Sequence, residues 1–303
     1  MRIVSLLASG TELCCALGAG DRLVGRSHEC DYPEWVKTLP AVSEPTFDIT
    51  GTSADIDRRV RERLRAGQPL YRVDEDLLAR LAPDVLITQT HCEVCAVTPG
   101  DLTHAVPRLE RRQVVALSAG TLDGILDGFR GVAEVLELAQ AGARLAGERL
   151  DRVRAVEREV ASLPRPSVVC LEWIDPTFCM GNWGPELVAR AGGDNRLGIA
   201  GAHSTTGTWD EVRRADPEVL VIAPCGFPLG RTAHEMPTLE AQPGWRDLRA
   251  VGAGRVYVAD GNLYFNRSGP SVFDSVRILA EILHDGSLEP TFEGRAWKRY
   301  RRT

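Results

Sequence analysis

The sequence predicts an α/β protein made of two lobes joined by a single long helix, with a ligand cleft between the lobes. Three observations predict it. Residues 140–163 form one unbroken stretch in which Ala146, Leu150, Val153, Val156, Val160 and Leu163 recur at steps of three and four, with Arg, Glu and Asp at most other positions. Proline is absent there until Pro164 and Pro166, so at 1.5 Å per residue the helix would run roughly 35 Å, the width of a small domain. On either side of it the chain repeats an order of apolar strand, turn and helix. One unit also occurs twice: residues 77–88 read LLARLAPDVLIT and residues 211–222 read EVRRADPEVLVI, each a helix stopped by proline and followed, one acidic residue later, by a strand. Pro83 thus corresponds to Pro217 and Asp84 to Glu218. The division that follows is an N-terminal lobe over 1–138, a bridging helix over 139–164 and a C-terminal lobe over 165–303.

Composition narrows the class. The chain has 303 residues, 44% hydrophobic and 26% charged, as folded globular proteins have. A net charge of −6 and a pI near 5.6 argue against nucleic acid as a partner; the arginines at 58–65 and the basic tail at 298–302 read as solvated surface. No apolar run approaches the roughly 18 residues that would span a membrane. Eight irregularly spaced cysteines are too few for a disulfide scaffold and suit reduced thiols. The opening MRIVSLLASG could pass for a weak secretion signal, but Glu12 interrupts it, no cleavage site follows, and IVSL is needed as the first strand. A cytoplasmic protein is therefore expected.

In order, residues 2–6 read as a strand and ASGTEL opens a helix with Ser9 or Thr11 as its N-cap. A strand at 23–27 runs into the polar cluster His28-Glu29-Cys30-Asp31-Tyr32-Pro33. Helices at 55–67 and 74–81 precede a strand at 84–88, from whose end hangs the stretch Gln89 to Val97; a strand at 113–118 and a helix at 121–137 lead to the bridge. Beyond it come a strand at 167–173, a Gly-rich aromatic turn at 178–183, helices at 185–191 and 208–215, a strand at 218–223, a strand at 255–259 and a closing helix at 268–284.

Loops at equivalent strand ends of two related lobes face each other, and what they carry suits a broad, rigid ligand. Trp173, Trp183, Trp209, Phe227, Tyr264 and Phe265 offer flat faces from the second half and Tyr32 one from the first; core packing is the competing role for each, most of all for Trp209, which starts a helix. Gln89, Asn182, Asn262 and Asn266 would answer amide groups on such a ligand. The candidate binding set is Ser9, Thr11, His28, Tyr32, Gln89 and Cys92 from the first half, with Trp173, Asn182, Trp183, Cys225, Phe227, Asp260, Asn262, Tyr264, Phe265 and Arg267 from the second.

The opening IVSLLASGTELCCALGAGDRLVGRSHECDYP, the unit LARLAPDVLIT and the terminal GRVYVADGNLYFNRSGP together resemble the vitamin B12 and ferric-siderophore binding proteins of ABC importers, and within them the cobalamin-binding branch. The likeness runs over essentially the whole chain. It implies two α/β lobes on one long helix, limited hinge motion, and a corrinoid (cobalamin or a precursor) held between lobes for transport, storage or delivery. An ABC importer, or a cytosolic corrinoid-handling protein, would be the partner. Haem or a ferric siderophore is the alternative ligand.

The stretch His91-Cys92-Glu93-Val94-Cys95 is not general in that family. Its Cys-x-x-Cys pair admits a zinc site, with His28, Cys30 or Cys225 completing His91, Cys92 and Cys95. It also admits a thiol redox role, although Pro99 and Gly100 follow too closely for a long helix. A third reading brings His91 or a thiol to the cobalt of a bound corrinoid, and a fourth packs small thiols under the cleft floor. A metal- or thiol-dependent enzyme is the alternative from another class. No nucleophile, base and acid fall in a legible arrangement, no phosphate loop or dinucleotide fingerprint is present, and a non-enzymatic binding protein is expected.

Overall fold

The computed structural model describes residues 1–91, 96–98 and 113–301. In the first lobe β1 (Ile3–Ser5), α1 (Ala8–Ala16), β2 (Leu23–Arg26), β3 (Ser43–Pro45), α2 (Ser53–Arg65), β4 (Tyr71–Val73), α3 (Glu75–Leu81), β5 (Val85–Gln89), β6 (Gln113–Leu117) and α4 (Leu122–Val135) follow one another. Four strands form a parallel sheet in the order β2-β1-β5-β6, while β3 and β4 pair antiparallel beside it. β5 is buried along its whole length, as a central strand covered on both faces must be.

The bridging helix α5 runs Ala139–Val160, ending three residues short of the expected Leu163. Beyond it come β7 (Ser167–Trp173), β8 (Phe178–Cys179), α6 (Gly184–Arg190), β9 (Asp194–Asn195), β10 (Thr205–Thr206), α7 (Trp209–Ala215), β11 (Val219–Ile222), α8 (Leu229–Glu240), α9 (Arg249–Gly252), β12 (Val256–Ala259), α10 (Asp274–Leu283) and β13 (Trp297–Arg299). β7, β11 and β12 are parallel and central; β8, β10 and β13 close the edges antiparallel.

The internal repeat is structural. α3 and α7 end in left-handed residues, Ala82 at φ 44° and Asp216 at φ 37°, each immediately before its proline. The acid after that proline then receives the backbone N–H that opens its lobe's first strand: Arg2 N donates to Asp84 Oδ2 at 2.6 Å, and Ser167 N to Glu218 Oε2 at 2.7 Å.

α5 buries Leu145, Ala146, Val153, Val156 and Val160. Those residues sit in one contiguous apolar cluster with Ile3, Leu13 and Ile87 of the first lobe and Val168, Val221 and Tyr257 of the second. The bridge is therefore part of the core of both lobes. No helix among the described residues is long and apolar enough to cross a membrane.

Two local expectations are corrected. Ser9 and Thr11 do not cap α1, because the helix starts earlier, after Leu7, and both lie inside it and buried. The closing helix begins not at Ser268 but as a 3-10 turn at Pro270–Phe273 that passes into α10. α8 went unpredicted because Pro237 stands inside it, where a proline normally ends a helix.

Candidate functional site

The carboxyl ends of the parallel strands bring the loops of both lobes together. At the centre Arg267, 10% exposed, donates to Asp31 Oδ1 at 2.6 Å and to Asn262 Oδ1 at 2.6 Å, while Asn262 Nδ2 donates to Asp31 Oδ2 at 2.8 Å. Burial pushes the Asp31 carboxyl up, but the hydrogen bond and charge of Arg267 outweigh it and hold the group below the usual range. Asp260 caps the short turn of Gly261–Phe265 by accepting from Leu263 N at 2.8 Å, and its pKa is raised by burial. That turn exists because Gly261 does: a Cβ there would lie 2.1 Å from Pro224 O and 2.5 Å from Ala223 O.

Two buried carboxylates flank this centre. Glu12, 4% exposed, accepts from Ser271 N at 2.7 Å and Ser271 Oγ at 2.6 Å through Oε1, whereas Oε2 has no hydrogen-bond partner among the described residues. Burial raises its pKa to about 7 against the pull of those hydrogen bonds and of Arg267 and Arg149. On the other flank Glu235, 6% exposed, reaches from α8 to the start of α2 and accepts from Ser53 N at 2.9 Å and Ser53 Oγ at 2.8 Å. Carboxylates suit helix N-termini, where backbone N–H groups are unpaired. Arg231, above the Phe227 ring at 3.8 Å, donates to Gly51 O nearby. The lobes thus meet through polar contacts at this centre and on both of its flanks.

The sequence-predicted residues divide by what they touch. Ser9 lies 3.3 Å from Ser268 Oγ, and Thr11 donates to Cys30 Sγ at 3.0 Å. His28 bonds Ser43 Oγ through Nδ1 at 3.1 Å and packs on Tyr71; burial, then Arg26, lowers its pKa to about 4, so its 3.9 Å approach to Glu29 is no ion pair at neutral pH. Gln89 donates to Ala96 O at 3.1 Å. Trp183 (Nε1 to Phe265 O, 2.8 Å), Tyr264 (against Phe292), Phe265 and Phe227 are buried in the second lobe, and Trp209 is core, stacked on Trp245. Asn266 is spent on backbone, donating to Ala223 O and Gly261 O. Two of the candidate aromatics are not buried. Tyr32 is 44% exposed; Trp173, half-buried, tilts on Phe227 at 5.1 Å with its Nε1 unpartnered among the described residues. Beside Trp173, burial raises Glu172 to about 7, and Cys225, whose N–H donates to Glu172 O at 2.9 Å, is pushed up to about 12 by burial and by Glu172 and Glu29. A thiol so protonated is neither nucleophile nor ready ligand.

Cys92 and Cys95 lie outside the described residues. Of the partners expected to complete a zinc site with them, His28 and Cys30 are engaged within their own lobe, and among the described residues no three of His, Cys, Asp and Glu converge to hold a metal. What meets His91 instead is His203, from the connection before β10, at 5.5 Å between ring centroids. Neither His203 nor Glu235 was legible as a site residue: both act on the opposite lobe, a proximity no local spacing announces.

At one end of the gap a cavity of about 390 Å³ opens between α2 and the turn at Pro176, lined by Asp57, Arg58, Arg61, Glu62, Arg65, Pro176 and Thr206. Its volume falls at the low end of the range for small-molecule sites, and its wall sets three arginines beside two acids, Arg61 paired with Asp57 at 2.6 Å and Arg58 with Glu62 at 3.4 Å.

The family model described as "Periplasmic binding protein" matches residues 3–263. A vitamin B12-binding protein of Vibrio campbellii is 22% identical over 285 residues, covering 92% of this chain and 88% of its own. An uncharacterized ABC transporter substrate-binding lipoprotein of Bacillus subtilis is 21% identical over 289 residues, covering 93% and 80%. Among solved structures, a periplasmic haem-binding protein of Pseudomonas aeruginosa superimposes with a TM-score of 0.74 at 21% identity, covering 100% of this chain and 99% of its own. These matches overturn the cytoplasmic expectation: proteins of this kind are periplasmic or lipid-anchored. That expectation rested on Glu12 interrupting the opening apolar run, on the lack of a cleavage site and on IVSL being needed as a strand; the run forms β1 and the start of a buried helix.

Proposed function

From the premise that the chain belongs to the periplasmic binding protein family, we propose that it binds a corrinoid between its two lobes and delivers it to an ABC importer. The observation that carries this reading is that two candidate aromatics, Tyr32 from one lobe and Trp173 from the other, are not buried in their own lobes. Likeness over 92% of the chain to a vitamin B12-binding protein supports it. A corrin ring is flat, wide and edged with amides, so stacking faces and a few polar groups such as Asp31, Asn262 and Arg267 are the recognition it calls for. Because Arg267 already joins Asp31 across the gap, ligand entry exchanges that contact for contacts to the ligand.

One observation favours a second reading. Arg65 lines the interlobe cavity beside Arg58 and Arg61, which already pair with Glu62 and Asp57, and a guanidinium there suits a carboxylate, which haem carries as propionates and a corrin amide edge does not. Titrating the purified full chain separately with cobalamin, cobinamide and haemin decides between them. Corrinoid binding shifts the visible spectrum and raises the melting temperature with ligand concentration; a Soret change with haemin alone selects the second reading, and no response to any of the three refutes both.

A further inference from the structure

We propose that His91 and His203, together with the side-chain oxygen of Asn182, bind a borderline divalent transition-metal ion such as zinc between the two lobes. His91 stands just beyond the end of β5, and His203 and Asn182 belong to the second lobe. The two imidazoles meet edge to face, with ring centroids 5.5 Å apart and an interplanar angle of 82°. Two imidazoles whose nitrogens each lie about 2 Å from one tetrahedral ion have centroids roughly 5 Å apart, so the observed spacing is close to that of a shared ion.

The second observation is independent of the rings. Asn182 is only 9% exposed, and its Oδ1 has no hydrogen-bond partner among the described residues; the same holds for the buried His91 Nε2, although the two side chains interact. At this interlobe contact His91 and Asn182 have at most each other, and an ion bound by both would give each of these buried atoms a partner. The surroundings fix their directions. Asn182 is held at φ 50° with its N–H on Ala202 O at 2.6 Å, and its Nδ2 faces Ser204 Oγ at 3.5 Å, which leaves Oδ1 as the free end. The His91 ring lies 5.8 Å from Trp183, whose indole is itself anchored on Phe265 O. Imidazole and amide oxygen suit zinc, nickel or copper rather than magnesium or calcium, and water completes the tetrahedron. Since His, Cys, Asp and Glu supply no third donor among the described residues, the amide oxygen is the distinguishing part of the site.

The site does not depend on the corrinoid reading, because the ion binds without a macrocycle. The test is calorimetric titration of the metal-stripped full chain with zinc chloride, beside His91→Ala, His203→Ala and Asn182→Gly. Glycine at 182 keeps the left-handed backbone unstrained, and His203 is exposed, so these two variants retain the fold. The expected result is one zinc per chain, with affinity at least tenfold weaker in each variant, and quenching by copper of tryptophan fluorescence that His203→Ala reduces. Zinc binding that survives any of the three substitutions, or that is lost only in Cys92→Ser with Cys95→Ser, overturns the proposal. A failure to bind cobalamin leaves the zinc titration unaffected and so separates the two readings.

Discussion

Replacing Glu12 by Gln should remove one component of the protein's pH-dependent stability. The folded protein holds the Glu12 proton up to about pH 7, against an ordinary 4.5, chiefly because the carboxyl is buried. The unfolded chain gives that proton up near its ordinary value, so between those pH values the native state binds more protons than the unfolded one. Stability from this group is therefore complete below about pH 4.5 and is lost as pH rises through 7. The gap between 4.5 and 7, at about 1.4 kcal/mol per pH unit, corresponds to about 3 to 4 kcal/mol. Glutamine keeps the acceptor that Ser271 N and Oγ use, and its amide nitrogen takes the place of Oε2, beside which Gly269 leaves room because a Cβ there would lie only 2.4 Å away. Urea unfolding of both proteins from pH 5 to 9 isolates the group, since Glu172 and other titrating residues contribute equally to each. The variant should match the parent near pH 5 and exceed it by up to about 3 to 4 kcal/mol above pH 8. A stability difference that stays constant across that range refutes the reasoning.

Three further outcomes are expected. Trp173→Ala and Tyr32→Ala should each weaken ligand binding tenfold or more, about 1.4 kcal/mol, in a calorimetric titration; unchanged affinity in both would remove the interlobe site. Glu235→Ala leaves Ser53 N at the start of α2 without its acceptor and should lower stability by about 2 kcal/mol in urea unfolding while increasing the radius of gyration in X-ray scattering. A compact variant of full stability would show that this contact does not hold the lobes. Gly261→Ala drives a methyl into Pro224 O and Ala223 O and should cost several kcal/mol, read as a large fall in melting temperature, with a normal melt counting against the turn as described.

The fold was legible wherever local pattern decides it. The periodic apolar face of α5 and the helix–proline–acid–strand unit at 77–88 and 211–222 need no knowledge of distant residues. α1 was legible as a helix but not in its start, because residues 8–14 are all buried, so no amphipathic edge marks where it begins. The site was less legible for the same physical reason that makes it a site. Asp31 meets Arg267 and Ser53 meets Glu235 only once both lobes are folded and in contact. Sequence composition does flag aromatic residues, yet it does not separate Trp173, half-buried with no partner for its indole N–H among the described residues, from Trp183, whose indole N–H is anchored on Phe265 O.

The single passage of the chain through α5 also sets how strong the contacts between lobes need to be. Two separate proteins joining through polar contacts such as the Asp31–Arg267 pair and Ser53–Glu235 would forfeit their translational and rotational freedom, a cost those contacts would have to offset. Here a rigid 22-residue helix, roughly 33 Å long and seated in both lobes, has already removed that freedom, so each lobe meets the other at a high effective concentration. Contacts too weak to assemble a dimer are then enough to keep the gap shut, and a ligand of modest affinity is enough to take their place.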